Sequence, residues 1–251
     1  MKSPALLFGA TAIHTLTASG AVVGLFALCF IAQQQFIAAL WCMLATLIID
    51  GVDGPLARKI RITQLMPNVD GKTIDQVVDF FNYAIVPAFF LFNWLAQVES
   101  SGRYALLTAM VLASCYWYGR VDQYNGPYCF KRFPCLWNAL VSYVYLVDAS
   151  VLAVYITMTV FVVATFIPLS YPTNSGIKMI KDKVLRGVFA LMFGAGVGAL
   201  AYLLIMYPQR PWQAEVLCIA YGCLYMGFSL YVSFTQRPLK SCEHLSRSKY
   251  K

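Results

Sequence analysis

The sequence predicts an all-α integral membrane protein, with about eight transmembrane helices around a polar cavity open to the cytoplasm. Three observations predict it. Of 251 residues, 60% are apolar and 12% charged, a balance outside the range of ordinary soluble domains. The apolar residues come in runs of about 20, the length that crosses a bilayer core as a helix. The few Lys and Arg sit in short segments between those runs rather than along one amphipathic face. That distribution argues against nucleic acid as a partner despite a net charge of +8, and orientation in a bilayer accounts for the charge instead.

In chain order the spans fall near 11–31, 35–57, 73–97, 104–122, 135–148, 150–169, 185–206 and 212–234. The first follows Lys2 but is too long for a secretory signal. It ends in Gln33-Gln34-Gln35 with no small-residue cleavage pattern, so it is expected to remain as an anchor. Most prolines, including Pro55, are expected to mark helix ends. Pro87 lies inside the third run, about two turns after Asp79, and is predicted to bend the helix and free a carbonyl. The run from Cys135 to Leu169 is long for one helix, and Asp148 near its middle predicts a tight turn between two spans. A single long tilted helix is the competing reading. With eight spans and a cytoplasmic N-terminus, every Lys and Arg except Arg103 and Arg210 falls on the cytoplasmic side. Joining the fifth and sixth spans would scatter that set, so both termini are expected inside. Residues 1–251 are read as one polytopic domain, with its motif at 50–79 and extra C-terminal helices at about 185–234. The eight cysteines form no CxxC and have no histidine at ligand spacing, so they are expected to be free packing thiols.

Four carboxylates stand out against this apolar background. Asp50 and Asp53 are three apart and Asp75 and Asp79 four apart, so each pair shares one face of its helix. Two such faces brought together make a carboxylate cage whose repulsion divalent cations with oxygen ligands would relieve.

The same residues carry a resemblance. Asp50, Asp53, Gly54, Ala57 and Arg58, then Gly71, Asp75 and Asp79, follow the pattern D-x-x-D-G-x-x-A-R, a spacer, and G-x-x-x-D-x-x-x-D, and so resemble the signature of the CDP-alcohol phosphotransferases. Within that family the chain is similar to a bacterial branch that uses choline. The likeness lies in the stretches His14–Gly20, Asp79–Tyr83, Val86–Ala88 and Phe133–Asn138, and in a spacer of twelve residues between Arg58 and Gly71.

The resemblance implies a bacterial inner-membrane enzyme that converts CDP-diacylglycerol and choline to phosphatidylcholine and CMP, using Mg²⁺ or Mn²⁺. It further implies that Asp50, Asp53, Asp75 and Asp79 hold two metal ions and that Asp79 is also the general base. Gly54, Ala57, Arg58 and Gly71 would bind CDP, and the protein would be a homodimer. The chemistry of the residues fits: displacing CMP from a diphosphate demands charge neutralisation and an activated hydroxyl. Small residues admit close backbone approach and Arg58 can donate to phosphate in a fork, although glycines alone are equally explained by tight helix packing. A quaternary ammonium is held by aromatic faces and nearby negative charge. The candidates for choline are Tyr83, Asn82, Tyr116 and Trp117. His14 and Thr17 are candidate substrate contacts, with a plain helix-start role as the alternative. Lys131 and Arg132, near Asp122, could meet lipid phosphate or only set topology. Two other functions fit less well: the same chemistry on serine, glycerol phosphate or inositol phosphate, and a divalent-metal transporter with intramembrane carboxylates.

Overall fold

The computed structural model describes residues 4–60, 62–97, 102–124, 129–173 and 183–235. Lys2, Arg61, Lys178, Lys181, Cys242 and the basic residues from Arg237 onward lie outside them. The fold is all-α and of the membrane class. Its helices are α1 (Pro4–Ala32), α2 (Phe36–Ile60), α3 (Ile62–Leu65), α4 (Gly71–Phe80), α5 (Val86–Ala96), α6 (Arg103–Tyr118), α7 (Trp137–Leu146), α8 (Val151–Ala164), α9 (Lys183–Met206) and α10 (Trp212–Thr235). A π-helical turn, Phe81–Ile85, joins α4 to α5. The strands β1 (Cys129–Lys131) and β2 (Ser170–Pro172) pair antiparallel, Phe130 opposite Tyr171.

Each predicted span coincides with a helical segment. Five have the length and apolarity to cross a membrane: Leu6–Ala32, Phe36–Ile60, Gly71–Ala96, Arg186–Met206 and Trp212–Phe234. Helices α6, α7 and α8, with 16, 10 and 14 residues, fall short of a full crossing of about 20 residues. The outward faces carry large apolar side chains such as Phe8, Leu112, Val184 and Phe234, as lipid-facing surfaces do.

The chain forms two compact units. The first comprises the chain up to Cys115 with Leu136–Ser142. In it α1 packs along α2, burying Ala10, Ala27, Ile31, Ala39, Leu40 and Met43. Phe36 meets Phe90 of α5 at 5.0 Å between ring centroids. Trp137 donates its indole N–H to Ser114 Oγ at 2.7 Å, both residues fully buried, which satisfies two polar groups in an apolar setting. Helix α1 ends where Gln34 turns into the left-handed region at φ 58° and Gln35 N–H bonds back to the Phe30 carbonyl. Pro55 does not end α2, which continues to Ile60 around it. The ring has no N–H for the carbonyl of Gly51 four residues earlier, so the helix gives up one bond inside the motif without terminating.

The second unit comprises Tyr116–Cys135 and the chain from Tyr143 on. Helices α9 and α10 pack together, and β2 lies against α10: Ser170 N–H donates to Ser233 Oγ at 2.7 Å, and the Tyr225 hydroxyl to the Pro172 carbonyl at 3.1 Å. Asp148, at φ 51°, closes the turn after α7, and Ser150 caps α8 by accepting from Ala153 N–H. Residues 135–169 therefore make two helices rather than one. None of the seven cysteines among the described residues is in a disulfide.

Candidate active site

The site is assembled from three elements of the first unit. Helix α2 presents Thr46, Asp50 and Asp53 one turn apart, and α4 presents Asp75 and Asp79. Asp70 sets the start of α4: its carboxylate accepts from Lys72 N–H at 3.1 Å and from the Thr73 hydroxyl at 2.6 Å, an N-cap that fixes where the helix begins and hence which face Asp75 and Asp79 occupy. These bonds, the Thr73 hydroxyl first, hold the Asp70 carboxyl below its ordinary range.

The third element is α1, which closes the cavity with Thr17 and Gly20. Glycines 20 and 24 form a notch against the turn after α4. A Cβ on Gly20 would stand 3.0 Å from Val78 Cγ1, and one on Gly24 would collide with Asn82 Oδ1 and approach Phe81 Cε1 to 2.8 Å. Asn82 lies in that notch, donating its amide to the Gly20 carbonyl at 3.1 Å. The bend predicted at Pro87 takes the form of the π turn Phe81–Ile85, where Val86 N–H reaches back to the Phe81 carbonyl. Widening the helix one turn before the proline carries Asn82 and Tyr83 onto the cavity wall.

The cavity is small and lined by Asp50, Asp53, Asp75 and Asp79 with Thr17, Thr46, Asn82 and Tyr83. One carboxylate oxygen from each of Asp50, Asp75 and Asp79 lies within 4.8 Å of the others. Asp53 is buried beside them, at 4% exposure. The Tyr83 hydroxyl donates to Asp50 Oδ2 at 2.9 Å. Among the described residues no Lys, Arg or His forms an ion pair with these four carboxylates. Hard oxygen donors crowded together without a protein cation are the donor set that a divalent metal ion fits.

The remaining sequence candidates divide by position. Arg58 is exposed at the end of the motif, its guanidinium 3.3 Å from where a Cβ on Gly54 would stand, and among the described residues no other element crowds Gly54 or Gly51. Helix packing thus does not explain Gly54, whereas it does bear on Gly71: a Cβ there would stand 2.7 Å from His14 Cε1. Ala57 is half-buried on α2. Among the described residues His14 Nε2 is buried without a hydrogen-bond partner; the cavity is lined instead by Thr17, one turn further along α1. Tyr116 and Trp117 belong to the second unit. Thr46 was missed by sequence reasoning, although its place four residues before Asp50 puts it on the carboxylate face of α2.

Comparison with known proteins agrees with this geometry. Residues 11–207 match the model of the CDP-alcohol phosphatidyltransferase family. The chain is 32% identical over 228 residues to a phosphatidylcholine synthase of Legionella pneumophila, covering 90% of this chain and 88% of the relative. It is 30% identical to one of Legionella bozemanae, covering 85% and 97%, and 30% identical to one of Rhizobium johnstonii, covering 85% and 86%.

Proposed function

The chain belongs to the CDP-alcohol phosphatidyltransferase family, and on that premise we propose that it transfers the phosphatidyl group of CDP-diacylglycerol to choline, giving phosphatidylcholine and CMP. The observation that carries this reading is the convergence of Asp50, Asp75 and Asp79, with Asp53 beside them, on one cavity walled by Tyr83. Relatives at 30–32% identity over most of the chain, each a phosphatidylcholine synthase, support choline as the acceptor.

Asp50, Asp53, Asp75 and Asp79 would hold the divalent ions, Mg²⁺ or Mn²⁺ and two in number. Bound there, the ions supply neutralisation of the diphosphate and polarisation of the phosphorus under attack. Arg58 donates to the diphosphate, and Gly54, Ala57 and Gly71 admit the nucleotide close to the backbone. The Asp79 carboxylate accepts the choline hydroxyl proton as that oxygen forms its bond to the phosphatidyl phosphorus. The bond from phosphorus to the bridging oxygen breaks, and CMP leaves with the electron pair. Tyr83, its ring on the cavity wall and its hydroxyl held by Asp50, is the first choice for the face that meets the quaternary ammonium. Asn82 lines the cavity beside it, and Thr17 contacts the nucleotide side, with His14 behind it against Gly71. The protein works as a homodimer in the bacterial inner membrane with both termini in the cytoplasm, where soluble choline reaches the cavity while the acyl chains stay in lipid.

The test is release of CMP by purified protein in detergent, given CDP-diacylglycerol, Mn²⁺ and labelled choline. Label is expected in phosphatidylcholine, and a chelator is expected to abolish the reaction until Mn²⁺ or Mg²⁺ is returned in excess. Activity with serine, glycerol phosphate or inositol phosphate and none with choline would overturn the acceptor. Full activity after chelation would overturn the metal.

A further inference from the structure

The second unit carries a group of charges that the proposed reaction does not use. Asp122, just beyond α6, accepts from three cations: Arg120 Nε at 2.6 Å, Lys131 Nζ at 2.9 Å and Arg132 Nη1 at 3.4 Å. Three positive charges on one carboxylate leave the cluster at +2. Burial works against a charged Asp122, but bonds and charge from Lys131 and Arg120 outweigh it and hold the carboxyl down to about 2. The backbone is committed to this arrangement. Arg132 sits at φ 78°, a costly left-handed conformation for a side chain of its size, pinned by bonds from Lys131 N–H to the Gln123 carbonyl and from Arg132 N–H to the Leu169 carbonyl. Among the described residues Arg132 Nε is buried without a hydrogen-bond partner.

Around the charges lies an apolar, exposed rim. Arg120 stacks over the Tyr116 ring at 5.1 Å, and Tyr116 packs on Phe166 at 5.0 Å. Tyr116, Val121, Phe166 and Ile167 are all exposed. Excess cations bordered by exposed aromatic and aliphatic groups match the headgroup level of a bilayer, where phosphate and acyl chain meet.

We propose that Arg120, Lys131 and Arg132, gathered by Asp122, bind the phosphodiester of an anionic membrane phospholipid, with Tyr116 and Phe166 against its glycerol and upper acyl region. The occupant is a lipid and not free phosphate, because the rim offers apolar surface that a soluble anion cannot use. The site lies in the second unit, shares no residue with the lining of the aspartate cavity, and anchors the protein by lipid composition.

The experiment uses the full chain in phosphatidylcholine nanodiscs and reads, from spin-labelled lipids, the ratio of phosphatidylglycerol to phosphatidylcholine held at the protein surface. The wild-type protein is expected to select phosphatidylglycerol, and Lys131→Gln with Arg132→Gln to lose about fivefold in selectivity for each cation removed. Lys131→Gln alone, at the most exposed of the three cations, decides the matter if the double variant does not fold, and Lys131→Arg is expected to keep the selectivity. Unchanged selectivity in the glutamine variants would overturn the site. So would displacement of the labelled lipid by excess inorganic phosphate, which would make it a site for a soluble anion. A raised KM for CDP-diacylglycerol with unchanged phosphatidylglycerol selectivity would assign the cations to the substrate and also overturn the proposal.

Discussion

Asp79 on α4 and Tyr83 in the π turn after it line one cavity, and the proposed reaction gives them separable tasks. Asp79→Asn keeps the size of the side chain and removes the proposed base, so turnover is expected to fall by at least ~10²-fold, the usual contribution of a positioned base. CDP-diacylglycerol binding, measured by titration in detergent, should be largely retained; unchanged turnover would remove Asp79 from the role of base. Tyr83→Phe keeps the ring and deletes the bond to Asp50 Oδ2. A bond to a charged acceptor contributes about 1.5–3 kcal/mol, so the expected result is a roughly tenfold or larger fall in kcat with the choline KM nearly preserved. Tyr83→Ala removes the ring as well and should raise the choline KM more than that of CDP-diacylglycerol. A selective loss of CDP-diacylglycerol binding in the alanine variant would contradict a choline-facing ring.

At the scale of elements, two glycines of the same type on neighbouring helices are explained in opposite ways. Gly24 is a packing residue, since a methyl group there meets Asn82 and Phe81 from the turn after α4. Gly24→Ala is expected to cost about 1–3 kcal/mol, as overpacking does, read as a lowered thermal transition in detergent. Among the described residues Gly54 faces no other element, and only the movable end of Arg58 stands near it. Gly54→Ala should leave the transition in place and raise the KM for CDP-diacylglycerol; a stability loss equal to that of Gly24→Ala would make Gly54 a packing residue too. This contrast was not legible in the sequence, where small-residue spacing looks alike in both helices. What was legible is the pairing of the aspartates, because helical period alone places Asp50 with Asp53 and Asp75 with Asp79, and the motif brings the two helices together. The π turn was half legible: Pro87 announces a lost hydrogen bond, but whether a helix answers with a kink or a widened turn depends on what Asn82 finds across from it, here the Gly20–Gly24 notch. The β1–β2 ladder gave no periodic signal at three residues per strand.

For the whole molecule, the open quantity is how many of the helical segments traverse the bilayer. Composition and charge distribution call for eight, while α7 and α8, about 15 and 21 Å long at 1.5 Å per residue, are short for a core of about 30 Å. Two contacts within the second unit constrain the answer. The ladder binds Phe130 to Tyr171, so the segment between them leaves and returns to one side, and a single tilted helix across 135–169 is excluded. At the other end of the hairpin, Asp148 pairs with Arg210 at 2.8 Å, and Tyr145 stacks on Tyr207. The turn after α7 thus shares a level with the turn between α9 and α10, helices that do have the length of spans. If α9 and α10 cross, the α7–α8 turn emerges beside their connection on the periplasmic face, as the eight-span count requires, with the short helices met by a locally thinned bilayer. Ser150→Cys, at the cap of α8, is then expected to react in intact cells with a membrane-impermeant maleimide, above the background of the native cysteines and alongside Arg210→Cys. Labelling of Arg210→Cys without Ser150→Cys would make α7 and α8 a re-entrant hairpin and lower the count to six.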